Sequence, residues 1–207
     1  MRRATFERTP KSLLIGIGVT LLGGALWGVN ATVSKILMSD YGADPLWIAS
    51  IRQLCAGMLF LAAAGATKPK LLTGAVRDVR SYPVYLLGAL ICVMATQVTY
   101  LNAIKWTNSG TATVLQTLNL LFVLAWVCLR GRRMPGKRET LGVALAFMGT
   151  VLIATGGDLT TLTLPLAGLM WGLGDALATA TMSILPVKVM GRYGNFTVNG
   201  LMFLISG

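Results

Sequence analysis

The stretch Gly24-Ala25-Leu26-Trp27-Gly28 returns 144 residues later as Gly168-Leu169-Met170-Trp171-Gly172, and Leu22 and Leu166 fall into the same register. Each copy lies near the middle of a long apolar segment. The paired glycines are four residues apart, so on a helix they share one face. Small residues at that spacing let helices approach closely inside a bilayer. A repeated tryptophan–glycine signature at equivalent depth therefore predicts two related helical units.

Working outward from these signatures, the chain reads as a succession of apolar helices. It is 55% hydrophobic and 12% charged, with a mean hydropathy of +0.70. A soluble domain carries roughly 25% charged residues, so the composition points to a polytopic membrane protein. The predicted spans are Ser12–Met38, Leu46–Ala66, Tyr82–Lys105, Asn108–Arg130, Thr140–Thr155 and Thr163–Val187, with Phe196 opening a seventh. Crossing the hydrocarbon takes about 17–25 residues of helix, and helix is the only open-chain solution there because backbone groups cannot go unpaired in lipid. The expectation is an all-α integral membrane protein: a bundle of six complete transmembrane helices plus a partial seventh.

The net charge of +11 would suit a nucleic-acid partner, but its distribution argues for none. Arg2, Arg3, Arg8 and Lys11 precede the first span. Lys68, Lys70, Arg77 and Arg80 lie between the second and third. Arg130, Arg132, Arg133, Lys137 and Arg138 lie between the fourth and fifth, and Lys188 and Arg192 between the sixth and seventh. The alternate loops carry Asp40, Asp44 and Asp158 with a single base, Lys105. The positive-inside rule then sets the N-terminus in the cytoplasm. The basic start followed by an apolar run is read as an uncleaved first helix rather than a signal peptide.

The first unit holds five spans, an odd number, so a second unit must enter from the opposite side. The expected organisation is a cytoplasmic tail (1–11), a first five-helix unit (12–156) closed at Gly156-Gly157-Asp158, and the start of an inverted second unit (163–207). From Phe196 to Gly207 a helix covers roughly 18 Å, against a hydrocarbon core of about 30 Å. So read, the chain stops inside its seventh span, and either the natural protein continues or this is a truncated product. Lys68-Pro69-Lys70 and Met134-Pro135-Gly136 read as plain cytoplasmic turns.

Polar residues inside the spans are the candidates for function. At about 1.5 Å per residue, Asn30, Gln53, Gln116 and Asn119 lie roughly 10–16 Å below the outer boundary. Gln97 and Asp175 fall at similar or greater depth. These side chains come from five helices and share one layer, which predicts a common cavity walled by Trp27, Tyr100 and Trp171. Trp27, Asn30 and Ser34 share one face of the first helix. The competing reading is interhelical hydrogen bonding, which amides also supply in membranes. Asp175 is the one deep carboxylate. It is read as half of an ion pair with Lys35 or Arg52, or as a site for a substrate ammonium or a coupling proton. Lys35 is otherwise read as snorkelling to the outer interface, and Arg52 as facing inward to receive Asp175 or a substrate carboxylate. Cys55, Cys92 and Cys128 lie within spans without pairing or metal spacing. With no histidine, no metal cluster, no phosphate loop and no nucleophile elbow, neither a catalytic site nor a cofactor is expected.

These residues resemble the EamA-type, ten-helix branch of the drug/metabolite transporter superfamily. The resemblance rests on Leu26-Trp27-Gly28-Val29-Asn30 through Lys35, on Pro45 to Arg52, on Asn108-Ser109-Gly110-Thr111-Ala112-Thr113, and on Leu141-Gly142 to Gly149-Thr150. It covers nearly the whole chain after Ser12 and implies two inverted five-helix repeats that move small metabolites across the inner membrane. Two departures stand out. The family usually has a proline midway along the fourth helix, where Asn119-Leu120-Leu121-Phe122 stands here. It also usually has a glutamate after that helix, where Arg130-Gly131-Arg132 stands.

The expected function is secondary transport of amino-acid-like or amphipathic compounds, in the export direction, by alternating access. The expected partners are a small-molecule substrate and the bilayer, with proton coupling and a homodimer both open. A non-transporting truncated membrane protein or a scaffold would show the same hydropathy. The small four-helix multidrug exporters use a carboxylate in their first helix, which this chain lacks. A membrane-embedded enzyme would have few acid–base groups to work with.

Overall fold

Helix starts and stops follow local chemistry throughout the computed structural model, which describes residues 10–156 and 164–207. Expectations placed on Arg2, Arg3, Arg8, Gly157, Asp158 and Thr163 lie outside the described residues. Helix α1 (Pro10–Asp40) ends where Gly42 takes a positive φ of 64° and the Ala43 amide reaches back to the Leu37 carbonyl at 3.0 Å. Asp44 then caps α2 (Pro45–Thr67) by accepting the Leu46 N–H at 2.8 Å, with Pro45 at a first-turn position where no N–H is needed. Asn108 does the same for α6 (Ser109–Thr117), accepting the Thr111 N–H at 2.8 Å.

The third span is continuous but not regular. After a 3₁₀ turn (Val79–Ser81) it runs through α4 (Tyr82–Leu87), a π-type segment (Gly88–Met94) and α5 (Ala95–Trp106). The widened turn lies where another helix crowds in: a Cβ on Gly88 would stand 2.9 Å from the Met202 sulfur. The fourth span breaks at Leu118, whose amide bonds the Leu115 carbonyl, so α6 gives way to α7 (Asn119–Gly131). Thr117 assists by donating to the Val114 carbonyl at 2.6 Å. The interruption that a proline would impose is thus made by a threonine back-bond and a tight turn.

Helix α8 (Lys137–Thr155) starts with Glu139 accepting the Gly136 N–H, and Gly156 (φ 61°) closes it. Arg133 forks onto both Glu139 oxygens at 2.8 Å, and this bond holds the Glu139 carboxyl down at about 2. Helix α9 (Leu166–Ile184) bends by 45° into α10 (Val187–Tyr193), where Pro186 removes a backbone donor, and α11 (Asn195–Ser206) follows Gly194.

The fold is an all-α membrane protein, and among the described residues no strand forms. The span count is lower than expected. Among the described residues four helical stretches are long and apolar enough to cross a membrane, Leu13–Asp40, Pro45–Thr67, Val79–Trp106 and Ser109–Gly131, and the bent α9–α10 pair, taken as one span, makes a fifth. Helix α8 is not among them, and α11, at 12 residues, is shorter still. A second difference concerns Lys68-Pro69-Lys70. Lys68 does turn the chain, but Pro69 then opens a short helix, α3 (Pro69–Arg77), whose buried Ala75 joins the core.

Helix α9 lies at the centre, packed on α5, α6 and α7, while α11 lies along α2. The two glycine signatures are used differently. A Cβ on Gly168 would meet Thr107 and one on Gly172 would meet Leu115, so both mark close helix crossings. Around Gly24 and Gly28 there is open space. Residues 13–29 of α1 are exposed, and the helix joins the core through Ala31, Ser34 and Met38, with Leu37 packed beside them. An apolar helix so exposed is suited to lipid or to further helices, not to water.

Candidate functional site

The polar layer read from the sequence resolves into three neighbourhoods around α5. The first is the α5–α6–α9 junction. Glycines 168 and 172 bring α9 close enough for Asp175, one turn further on, to be completely buried. Its Oδ1 lies 3.5 Å from Thr99 Oγ1 and 3.4 Å from Thr179 Oγ1. Gln116 Nε2 donates to Thr179 Oγ1 at 3.4 Å. Thr99 has a shorter bond, 2.7 Å, to its own Ala95 carbonyl, which claims the single hydroxyl hydrogen. Asp175 is therefore held only by bonds at the outer limit of useful length, and its buried Oδ2 has no partner.

The second neighbourhood joins α1, α5 and α6. Thr113 spends its hydrogen on the Ser109 carbonyl at 2.7 Å, so the Tyr100 hydroxyl donates to Thr113 Oγ1 at 2.9 Å. Trp27 leans on the Tyr100 ring with centroids 5.8 Å apart and planes at 45°. Tyr100 is buried, while Trp27 keeps an exposed face. Nearby, Ser34 donates to the Asn30 carbonyl at 2.8 Å and receives a long 3.4 Å bond from Arg52 Nη1. That bond uses one of five guanidinium donors, so Arg52, half-buried between α1 and α2, retains capacity for an anion.

The third neighbourhood lies on α2 and α5. Gln53 is buried, and the side-chain oxygens of Gln53, Gln97 and Thr96 have no hydrogen-bond partner. Asn119 opens α7 half-buried, directly after the break at Leu118. Trp171 stands one turn before Asp175 and is partly exposed. An apolar groove of about 740 Å³, bounded by Val76, Tyr82, Tyr85 and Leu201 among others, lies at the basic end and includes none of these residues.

The two deep cations take places the sequence reading did not assign. Lys35 does not meet Asp175. Its Nζ donates to the carbonyls of Ile104, Lys105 and Thr107 at 3.0, 3.0 and 2.9 Å, spending all three ammonium hydrogens at the C-terminus of α5. The negative end of a helix dipole favours a cation there. Arg52 turns to Ser34 instead of Asp175. Among the described residues the ion pairs are Arg133–Glu139 and Arg192–Asp78, neither of which involves Asp175. No cluster of three metal-ligating side chains occurs among the described residues either.

Thr99, Thr113 and Thr179 were not singled out from the sequence. Thr179 was within reach of such a reading, because it is one turn beyond Asp175 on the same helix face. Thr99 and Thr113 carry no such signal, since a threonine bonded to its own helix reads as filler.

An all-α, multi-pass membrane protein with unpaired polar atoms buried between its helices has the architecture of a membrane carrier. More specifically, the chain belongs to the EamA-like transporter family, whose model matches residues 14–155. Over 187 residues it is 27% identical to YicL, an uncharacterized inner membrane transporter of Salmonella typhimurium, covering 90% of this chain and 62% of that protein. It is 25% identical over 145 residues to an uncharacterized transporter of Methanothermobacter thermautotrophicus, covering 66% of this chain and 42% of that protein. The chain thus spans less than two thirds of the length of either relative. No solved structure matches it.

Proposed function

We propose that the protein is a secondary carrier, rather than an enzyme, that moves amino-acid-like or amphipathic metabolites out across the cytoplasmic membrane, with its N-terminus inside. Residues 12–156 and 163–207 would belong to two inverted units that rock around the polar layer. The observation that carries this reading is Asp175, a fully buried carboxylate with one oxygen unpartnered and, among the described residues, no cation paired with it. Burying a charge without compensation is costly, so such a group is retained where a ligand completes it. A substrate ammonium or a proton supplies that completion. Arg52, with spare donors between α1 and α2, is placed to receive a carboxylate, and Trp27 and Tyr100 offer aromatic surface to an apolar side chain. Gln53, Gln97, Gln116, Asn119 and Trp171 complete the proposed lining.

The test is counterflow of radiolabelled amino acids in proteoliposomes containing the full chain, with Asp175→Asn as the comparison. Asparagine keeps the shape and removes the charge. The expected result is flux by the parent protein that falls about tenfold or more in the variant, as for loss of a charged hydrogen bond, together with loss of its pH dependence. Full, pH-dependent flux by Asp175→Asn would remove Asp175 from both binding and coupling.

A further inference from the structure

At the basic end of the bundle, two short connecting helices that the sequence reading passed over are tied together by one carboxylate. Asp78 is the only acid between Lys68 and Ser81, in a segment that also holds Lys68, Lys70, Arg77 and Arg80. A topology signal does not call for an acid there. Its Oδ2 accepts from the Tyr193 hydroxyl at 2.6 Å, from Ser81 Oγ at 2.8 Å and from Arg192 Nη1 at 3.3 Å. The Arg192 guanidinium lies over the Tyr193 ring at 5.2 Å. A Cβ on Gly74 would stand 3.5 Å from that ring, which is buried with Ala75 and Tyr85.

Asp78 follows α3, which links the second and third spans. Arg192 and Tyr193 end α10, which follows α9. The contact therefore joins segments 115 residues apart in sequence, one from each unit. Backbone breaks flank α10: the 45° bend at Pro186 on one side and Gly194, at φ 82°, on the other. A seven-residue helix between two such breaks can swing as a lever, and the Tyr193–Asp78 bond pins its end beside the apolar packing of Val189 and Met190.

We propose that Asp78, Tyr193 and Arg192 form a latch that holds the basic, cytoplasmic end of the bundle closed and that must release for this end to open. Its role in a transport cycle rests on the carrier reading, whereas the latch itself does not. Tyr193→Phe removes the hydroxyl and leaves the ring against α3. Asp78→Asn removes the charge. Hydrogen–deuterium exchange on the full chain in nanodiscs, read at the amides of α3 and α10, compares the parent with Tyr193→Phe, Asp78→Asn and the double variant. The expected result is exchange about threefold or more faster in both helices together, with the double variant no faster than either single one and unchanged protection in α5 and α9. A response confined to one helix, additive effects, or no response would overturn the latch. Unchanged protection in α5 and α9 shows that the variants are folded, so each of those results is decisive. If both helices respond but proteoliposomes carry no flux, the latch stands and the carrier reading falls. Flux without a paired response does the reverse.

Discussion

Asp78 shows how a single side chain can acquire a role that its loop position does not announce. The Tyr193 hydrogen bond, with further help from Ser81 and Arg192, holds its carboxyl below the ordinary value of 3.8, while the same bond raises the Tyr193 phenol above 10.0. A depressed acid stabilises the contact above its ordinary titration range and loses it as pH falls through the lowered value. A raised phenol keeps the contact below its ordinary range and loses it as pH climbs through the raised one. Tyr85 and Arg192 are the other titratable groups packed around the cluster. The contact is therefore expected to stay intact across the whole range between these limits. Carboxyl-carbon NMR of aspartate-labelled protein, with Asp78→Asn assigning the resonance, checks this. The Asp78 midpoint should lie below 3.8 in the parent and move up toward it in Tyr193→Phe; equal midpoints would remove the bond. None of this was legible in the sequence, because the partners are over a hundred residues apart and lie in what read as ordinary cytoplasmic connections. Asp175 was legible, because a carboxylate inside an apolar segment has no innocuous explanation. Its neighbour Thr99, and Thr113 beside Tyr100, were hidden by bonding their own helices.

At the scale of elements, hydropathy placed the first four spans within a few residues, but it could not say which face of a helix would be covered. The repeated signature makes this concrete. Both copies predicted close packing, yet Gly168 and Gly172 lie against Thr107 and Leu115 while Gly24 and Gly28 face open space. Rotation about the helix axis depends on the neighbours, and a local motif does not contain them. The same four-residue spacing should therefore tolerate side chains very differently. Gly172→Val would drive two methyl groups into Leu115, at a cost of about 1–3 kcal/mol for overpacking. Gly28→Ala, with nothing to strike, should be neutral or stabilising by about 0.5–1 kcal/mol through helix propensity. Thermal unfolding of the purified chain in detergent separates the two, and equal effects would mean that both faces are packed. Lys35 teaches a related lesson. It meets three carbonyls at the end of α5 rather than Asp175, a choice that its own helix does not announce.

The whole molecule is organised by two patterns that act at different ranges: the duplicated signature and the alternation of charge. The duplication implied two units, and the chain does pass from α8 into a second tryptophan–glycine helix. The charge pattern makes a claim about orientation that the helices can carry only if the connections alternate ends. Two of them do share an end: α3 and α10 meet through Tyr193 and Asp78, so the connection from α2 to α4 lies beside that from α9 to α11. Lys105, in the last turn of α5, belongs to the other end, where Lys35 caps that helix. Because translocating basic residues against the membrane potential is disfavoured, the end with Lys68, Lys70, Lys137 and Lys188 should remain in the cytoplasm. Lysine chemistry can read this directly. An impermeant amine-reactive ester applied to intact cells should modify Lys105, which is exposed, and leave those four lysines untouched. In inverted membrane vesicles the pattern should reverse, and Lys105→Arg should abolish labelling of the intact cells. Lys35 should resist the reagent from either side, because its ammonium hydrogens are all engaged by carbonyls. Labelling of Lys70 or Lys188 in intact cells would invert the orientation. It would move the proposed latch to the outer face of the membrane, and with it the end at which a carrier would first have to open.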